Sequence, residues 1–103
     1  TPVYMAPEQL RGREIDQRVD IFAFGVTMYE TLTGQKPFNG ETSREVLLQQ
    51  RNREQHFAVP RDLNPSIPED VEQIILKCIE FDADRRYPHI SYLVAELRKA
   101  LYV

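Results

Sequence analysis

The chain is 103 residues long, 42% apolar and 28% charged, with seven prolines and four glycines, a composition that supports one folded core and excludes a disordered linker. Thirteen basic against sixteen acidic residues leave a net charge of −3, and no basic run exceeds the Arg85-Arg86 pair, which argues against a nucleic-acid partner. Cys78 is the only cysteine, so no internal disulfide or multi-cysteine metal site is expected and a reducing, cytoplasmic setting fits; with no run of 18 apolar residues and no leader pattern, no membrane segment is expected in this chain.

From Asp20 to Thr33 the residues are apolar nearly all the way round a helix: Ile21, Phe22, Ala23, Phe24, Val26, Met28, Tyr29 and Leu32. Such a helix is buried on most faces. Asp16 or Asp20 is placed to cap its start and Gly34 to end it. Gly34 to Gly40 is a loop, with Pro37 excluding helix.

Thr42-Ser43-Arg44-Glu45 has the spacing of a capping box and opens a short helix to about Arg51. Val46 and Leu47 are its only apolar pair in that reading, so a surface position is expected. The alternation Arg51-Asn52-Arg53-Glu54 reads as a solvated face, and His56 as loop surface.

Pro60 to Pro68 reads as a second loop, closed by a second capping box, Ser66-Ile67-Pro68-Glu69. The next helix carries Val71, Ile74, Ile75, Cys78 and Ile79 on one core-facing stripe. After the polar turn Asp82 to Arg86, His89 starts a last helix with Ile90, Leu93, Val94, Leu97 and Leu101 in the same register. No segment calls for a strand, and neither histidine has metal ligands at a useful spacing.

Two residues stand out on chemical grounds. Glu8 follows a proline in a segment that packs on helices, and a partly buried carboxylate needs a partner; Arg86, always charged and able to bond bidentately, is the natural one.

Four separated signatures then fall in one order: Thr1-Pro2-Val3-Tyr4-Met5-Ala6-Pro7-Glu8, Asp20-Ile21-Phe22-Ala23-Phe24-Gly25, Tyr29-Glu30 through Pro37-Phe38, and Asp82-Ala83-Asp84-Arg85-Arg86-Tyr87. Together they resemble the C-terminal part of the large lobe of serine/threonine protein kinases, from the Ala-Pro-Glu end of the activation segment to the last helix. The fourth departs from the family's Asp-Pro-x-x-Arg turn, with Ala83 in place of proline.

The resemblance implies an all-α, incomplete fold of F-, G-, H- and I-type helices: a partial kinase domain over residues 1–103, without the small lobe, catalytic loop or Asp-Phe-Gly segment. It implies that Glu8 and Arg86 form a structural ion pair. Asp20 would anchor the catalytic loop, and Thr1 and Glu30 would face the substrate, Thr1 beside the catalytic aspartate and Glu30 toward a basic peptide residue. Glu30 as a plain structural glutamate is the competing reading.

It further implies that the parent takes ATP and Mg²⁺, that this chain holds no cofactor, metal or catalytic residue and is inactive alone, and that its partners are the rest of the kinase domain and protein substrates. A helical interaction module or pseudokinase remnant is the alternative. Because two amphipathic stripes have to cover a helix apolar on all sides, a bare apolar face on residues 21–32, and self-association through it, are expected.

Overall fold

The computed structural model describes residues 2–102. In chain order they form a 3₁₀ turn (Pro2–Tyr4), α1 (Pro7–Leu10), α2 (Arg18–Thr33), α3 (Ser43–Arg51), α4 (Arg53–His56), α5 (Pro60–Leu63), α6 (Glu69–Cys78), a second 3₁₀ turn (Ala83–Arg85) and α7 (Ile90–Tyr102). No strand occurs among the described residues. The fold is all-α.

The long helix α2 is the axis on which the others pack. It buries Ile21, Phe22, Gly25, Val26 and Tyr29, residues spaced by three and four that share one face, so the helix is buried along one side rather than on most faces, with Asp20, Phe24, Thr27 and Thr31 exposed opposite. The approach to α6 is set by Gly25: a Cβ built there would lie 2.5 Å from the Cβ of Cys78 and 2.8 Å from Cγ2 of Ile79. Only a residue without a side chain permits that crossing. At the other end Gly34 takes a left-handed conformation at φ 77° and its N–H bonds to the Glu30 carbonyl at 2.8 Å, closing the helix.

Around α2 the core falls into three sets of contacts. Phe22 and Val26 meet Val3, Ala6, Phe38, Val46 and Ile79. Ile21 meets Ile74, Cys78, Tyr87 and Leu93, while Tyr29 meets Ile67, Val71 and Ile75. Phe22 stacks on Phe38 at 6.2 Å, and Phe57 meets Tyr29 edge-on at 5.2 Å. The radius of gyration, 13.1 Å, matches the value of about 13 Å for a compact domain of this size.

Several local expectations need correction. The N-cap of α2 is Gln17, with no side-chain cap bond; Asp16 acts one residue earlier, its Oδ1 accepting from the Arg18 N–H at 2.9 Å. Thr42 does cap α3, accepting from the Glu45 N–H at 3.1 Å. The return bond is displaced, because the Glu45 carboxylate accepts from Glu41 N–H at 3.0 Å rather than from Thr42. Ser66 caps nothing: α6 starts after Pro68, which lacks a capping side chain.

The loop expected over Pro60 to Pro68 contains α5. Its cap comes from a distant residue, Glu72 of α6, whose Oε2 accepts from the Arg61 N–H at 2.8 Å. Such a cap is invisible to local sequence rules. Arg53, read as solvated, donates to the carbonyls of Leu76 at 2.8 Å and Ile79 at 3.1 Å and pairs with Glu80 at 3.1 Å, capping the C-terminus of α6 with a cation. His56 lies in α4 and stacks on Phe38 at 6.3 Å.

The bare apolar face is not where it was expected. On α2 only Phe24 among the large apolar residues is exposed, whereas on α7 Ile90 is 56% and Leu101 65% exposed, with Val94 also outward. Helix α7 touches the core along Leu93, Leu97 and Ala100, so the remainder of its stripe has nothing above it.

Candidate peptide-binding platform

The first turn and α1 are held onto the helices at several points. Pro7 at the first helical position and the Gln9 side chain, accepting from the Ala6 N–H at 2.8 Å, start α1. That places Glu8 over the turn before α7. Arg86 donates to Glu8 through Nη1 at 2.8 Å and Nη2 at 2.9 Å, a bidentate pair between residues 78 apart in sequence. The Arg86 side chain is fully buried and that of Glu8 is 14% exposed.

The remaining donors of Arg86 are also used. Nε donates to the Glu80 carbonyl at 2.8 Å, Nη1 to that of Arg18 at 3.3 Å and Nη2 to that of Phe81 at 3.2 Å. The guanidinium carbon lies 4.9 Å from the centre of the Phe22 ring, a cation–π contact inside the core. Burial pushes the Glu8 carboxyl up, but its hydrogen bonds to Arg86 and to the backbone, with the charges of Arg86 and Arg18, hold it below its ordinary value.

Residues 2–6 are fixed on their other side by α2 and α3. Val3 and Ala6 are buried against Phe22, Val26 and Val46. The Tyr4 hydroxyl donates to the Glu30 carboxylate, and the Lys36 ammonium lies 5.8 Å from the Tyr4 ring centre. The hydrogen bond to Glu30, then burial, raises the Tyr4 phenol above its ordinary value. From α3 the buried Gln50 amide donates to the Met5 carbonyl at 2.8 Å.

Of the residues expected at the site, Glu8 and Arg86 stand together, and Glu30 meets the segment through Tyr4. Asp20 lies in the first turn of α2 with an exposed side chain that makes no hydrogen bond among the described residues. Thr1 lies outside the described residues. The sequence reading passed over Tyr4 and Gln50. Gln50 follows Val46 by four residues on one face of α3, a signal that was legible.

The family described as the protein kinase domain matches residues 1–98. MasK, a tyrosine-protein kinase of Myxococcus xanthus (strain DK1622), is 48% identical over 86 residues, covering 84% of this chain and 13% of that protein. RqkA, a DNA damage-responsive serine/threonine-protein kinase of Deinococcus radiodurans, is 41% identical over the same shares of the two chains. PrkC, a serine/threonine-protein kinase of Bacillus subtilis (strain 168), is 37% identical over 94% of this chain and 15% of its own length. The chain thus spans about one-seventh of these relatives, and over nearly its whole length it belongs to the protein kinase domain family.

Proposed function

We propose that the chain is the helical, peptide-facing part of the large lobe of a longer serine/threonine protein kinase, which transfers the ATP γ-phosphoryl group to protein hydroxyls in the cytoplasm. The observation that carries this reading is the buried Glu8–Arg86 pair, which ties the segment ending in Ala6-Pro7-Glu8 to the turn before α7. Phosphoryl transfer depends on positioning, and the contribution of these residues is a fixed platform. Tyr4, Glu30 and Gln50 hold residues 2–6 in one arrangement against which a substrate chain can lie.

We infer that the described residues are not themselves the site of the magnesium nucleotide. No three His, Cys, Asp or Glu side chains among them stand together as metal ligands, and the glycines serve separate turns and contacts rather than one phosphate cradle. ATP and Mg²⁺ therefore belong, in this reading, to other parts of the parent. Thr1 and Asp20 are proposed to meet its catalytic loop, Thr1 at the acceptor and Asp20 as a backbone anchor. The names of RqkA and PrkC support serine and threonine acceptors, while the name of MasK supports tyrosine.

The test is phosphate transfer by the intact gene product from labelled ATP·Mg²⁺ to matched peptides offering Ser, Thr or Tyr. Label on Ser and Thr is the expected result. Transfer to Tyr alone would overturn the acceptor assignment, and no transfer by folded protein would favour a binding module or pseudokinase.

A further inference from the structure

Away from the platform, a group of arginines lies around Phe81 that neither the packing nor phosphoryl transfer requires. Phe81 follows α6 and forms part of the wall of two hollows. One, of about 420 Å³, is shared with Arg11; the other, of about 280 Å³, is shared with Gln50, Arg51 and Arg85. The guanidinium carbons of Arg11 and Arg51 each lie 5.7 Å from the centre of the Phe81 ring.

Both cations gain from the ring, yet they repel each other: their charges are within about 11 Å, close to a Debye length at 0.1 M salt. Arg18, Arg53 and Arg86 each have a carboxylate partner. Arg11, Arg51 and Arg85 are exposed and none makes a salt bridge among the described residues. Of the acids in the smaller hollow, Glu80 is held by Arg53, which leaves Glu54 alone against Arg51 and Arg85 there, while Arg11 lines the neighbouring hollow. The larger hollow brings its own acids, Glu14 and Asp82, and is the poorer anion site.

A second observation falls on the same place. Oε1 of Gln50 is a buried side-chain oxygen with no hydrogen-bond partner, and its amide cannot simply rotate, because Nε2 is engaged by the Met5 carbonyl. A buried acceptor left unmade is costly. Gln50 also lines the smaller hollow, so the residue that carries the unpaired acceptor is part of its wall.

We propose that the smaller hollow beside Phe81, with Arg51 and Arg85 in its wall and Arg11 against the same ring from the neighbouring hollow, docks an acidic segment of a partner protein. Two anionic groups of that segment, carboxylate or phosphate, face the guanidinium forks, which bind either bidentately, and a backbone N–H of the segment reaches Gln50. The chain's net charge of −3 repels acidic peptides in general, so attraction confined to this patch gives the surface its selectivity. The proposal does not depend on the kinase reading, since it needs neither nucleotide nor catalysis.

The experiment is fluorescence anisotropy of the intact gene product with three labelled peptides of equal length: one rich in Asp and Glu, one in which two phosphoserines supply the charge, and one neutral. Binding of either anionic peptide, at least tenfold tighter than the neutral one and weakening as salt rises from 50 to 200 mM, is expected. Which anionic peptide binds more tightly identifies the anion. The double variant R11A/R51A should lose at least tenfold of that affinity while keeping the thermal midpoint of the parent, and R44A, which removes an exposed arginine of α3 outside the hollow, should bind as the parent does. Equal binding of all three peptides, or an anionic peptide bound by R11A/R51A within twofold of the parent, would overturn the proposal.

Discussion

Arg86 has five N–H donors and the structure uses all of them: two on Glu8 and three on main-chain carbonyls. Lysine has neither the fork nor the number of donors, so Arg86→Lys should not rescue this position. Because the pair is buried, removing either partner leaves an uncompensated charge, and Glu8→Gln or Arg86→Met is expected to cost about 3–5 kcal/mol in urea unfolding. Replacing both should cost less than the sum of the two. A double-mutant cycle with coupling below about 0.5 kcal/mol, the scatter of additive sites, would show that the clamp contributes nothing.

At the scale of elements, the weight of the fold rests on the crossing of α2 and α6. Gly25→Ala inserts a Cβ where Cys78 Cβ would be 2.5 Å away, so α6 has to move. A loss of about 1–3 kcal/mol is expected from such overpacking, and a thermal midpoint unchanged from the parent would mean that the helices separate freely. Elements whose signals are local were legible in the sequence. The stripe Val71, Ile74, Ile75, Cys78, Ile79 is buried throughout, and Gly34 ends α2. What could not be read depends on residues distant in sequence: α5 is capped by Glu72, Arg53 is buried by the end of α6, and α7 leaves Ile90 and Leu101 in solvent because no further element lies over them. At the platform, the chemistry of Glu8 and Arg86 identified both residues, since few partners satisfy a carboxylate beside a proline. Tyr4 was missed because its role exists only once Glu30 is beside it.

For the whole molecule, stability should fall on both sides of neutral pH, for different reasons. On the acid side Glu8 has a folded pKa below its ordinary value of 4.5, so its contribution is present above that value and is lost as pH falls through the folded pKa. On the alkaline side burial pushes Cys78 up to about 12 from 9.0, and Tyr29 and Tyr87 up to about 12 from 10.0. These groups keep their protons in the folded chain when the unfolded chain has released them. Their burial carries no pH penalty below the unfolded values, and stability is lost as pH rises beyond them. Each such proton is worth about 1.4 kcal/mol per pH unit. Cys78 therefore acts alone from about pH 9, and the two tyrosines steepen the loss above about pH 10. For a chain with only several kcal/mol in reserve, the thermal midpoint should drop measurably between pH 8.5 and 10.5. Cys78→Ala isolates the first proton: it lowers the midpoint at neutral pH through the cavity it leaves, but should flatten the slope between pH 9 and 10. A parent midpoint that stays level from pH 8 to 10.5 would mean that water reaches Cys78 and both phenols in the folded state, and that the α2–α6–α7 core is looser than its packing shows.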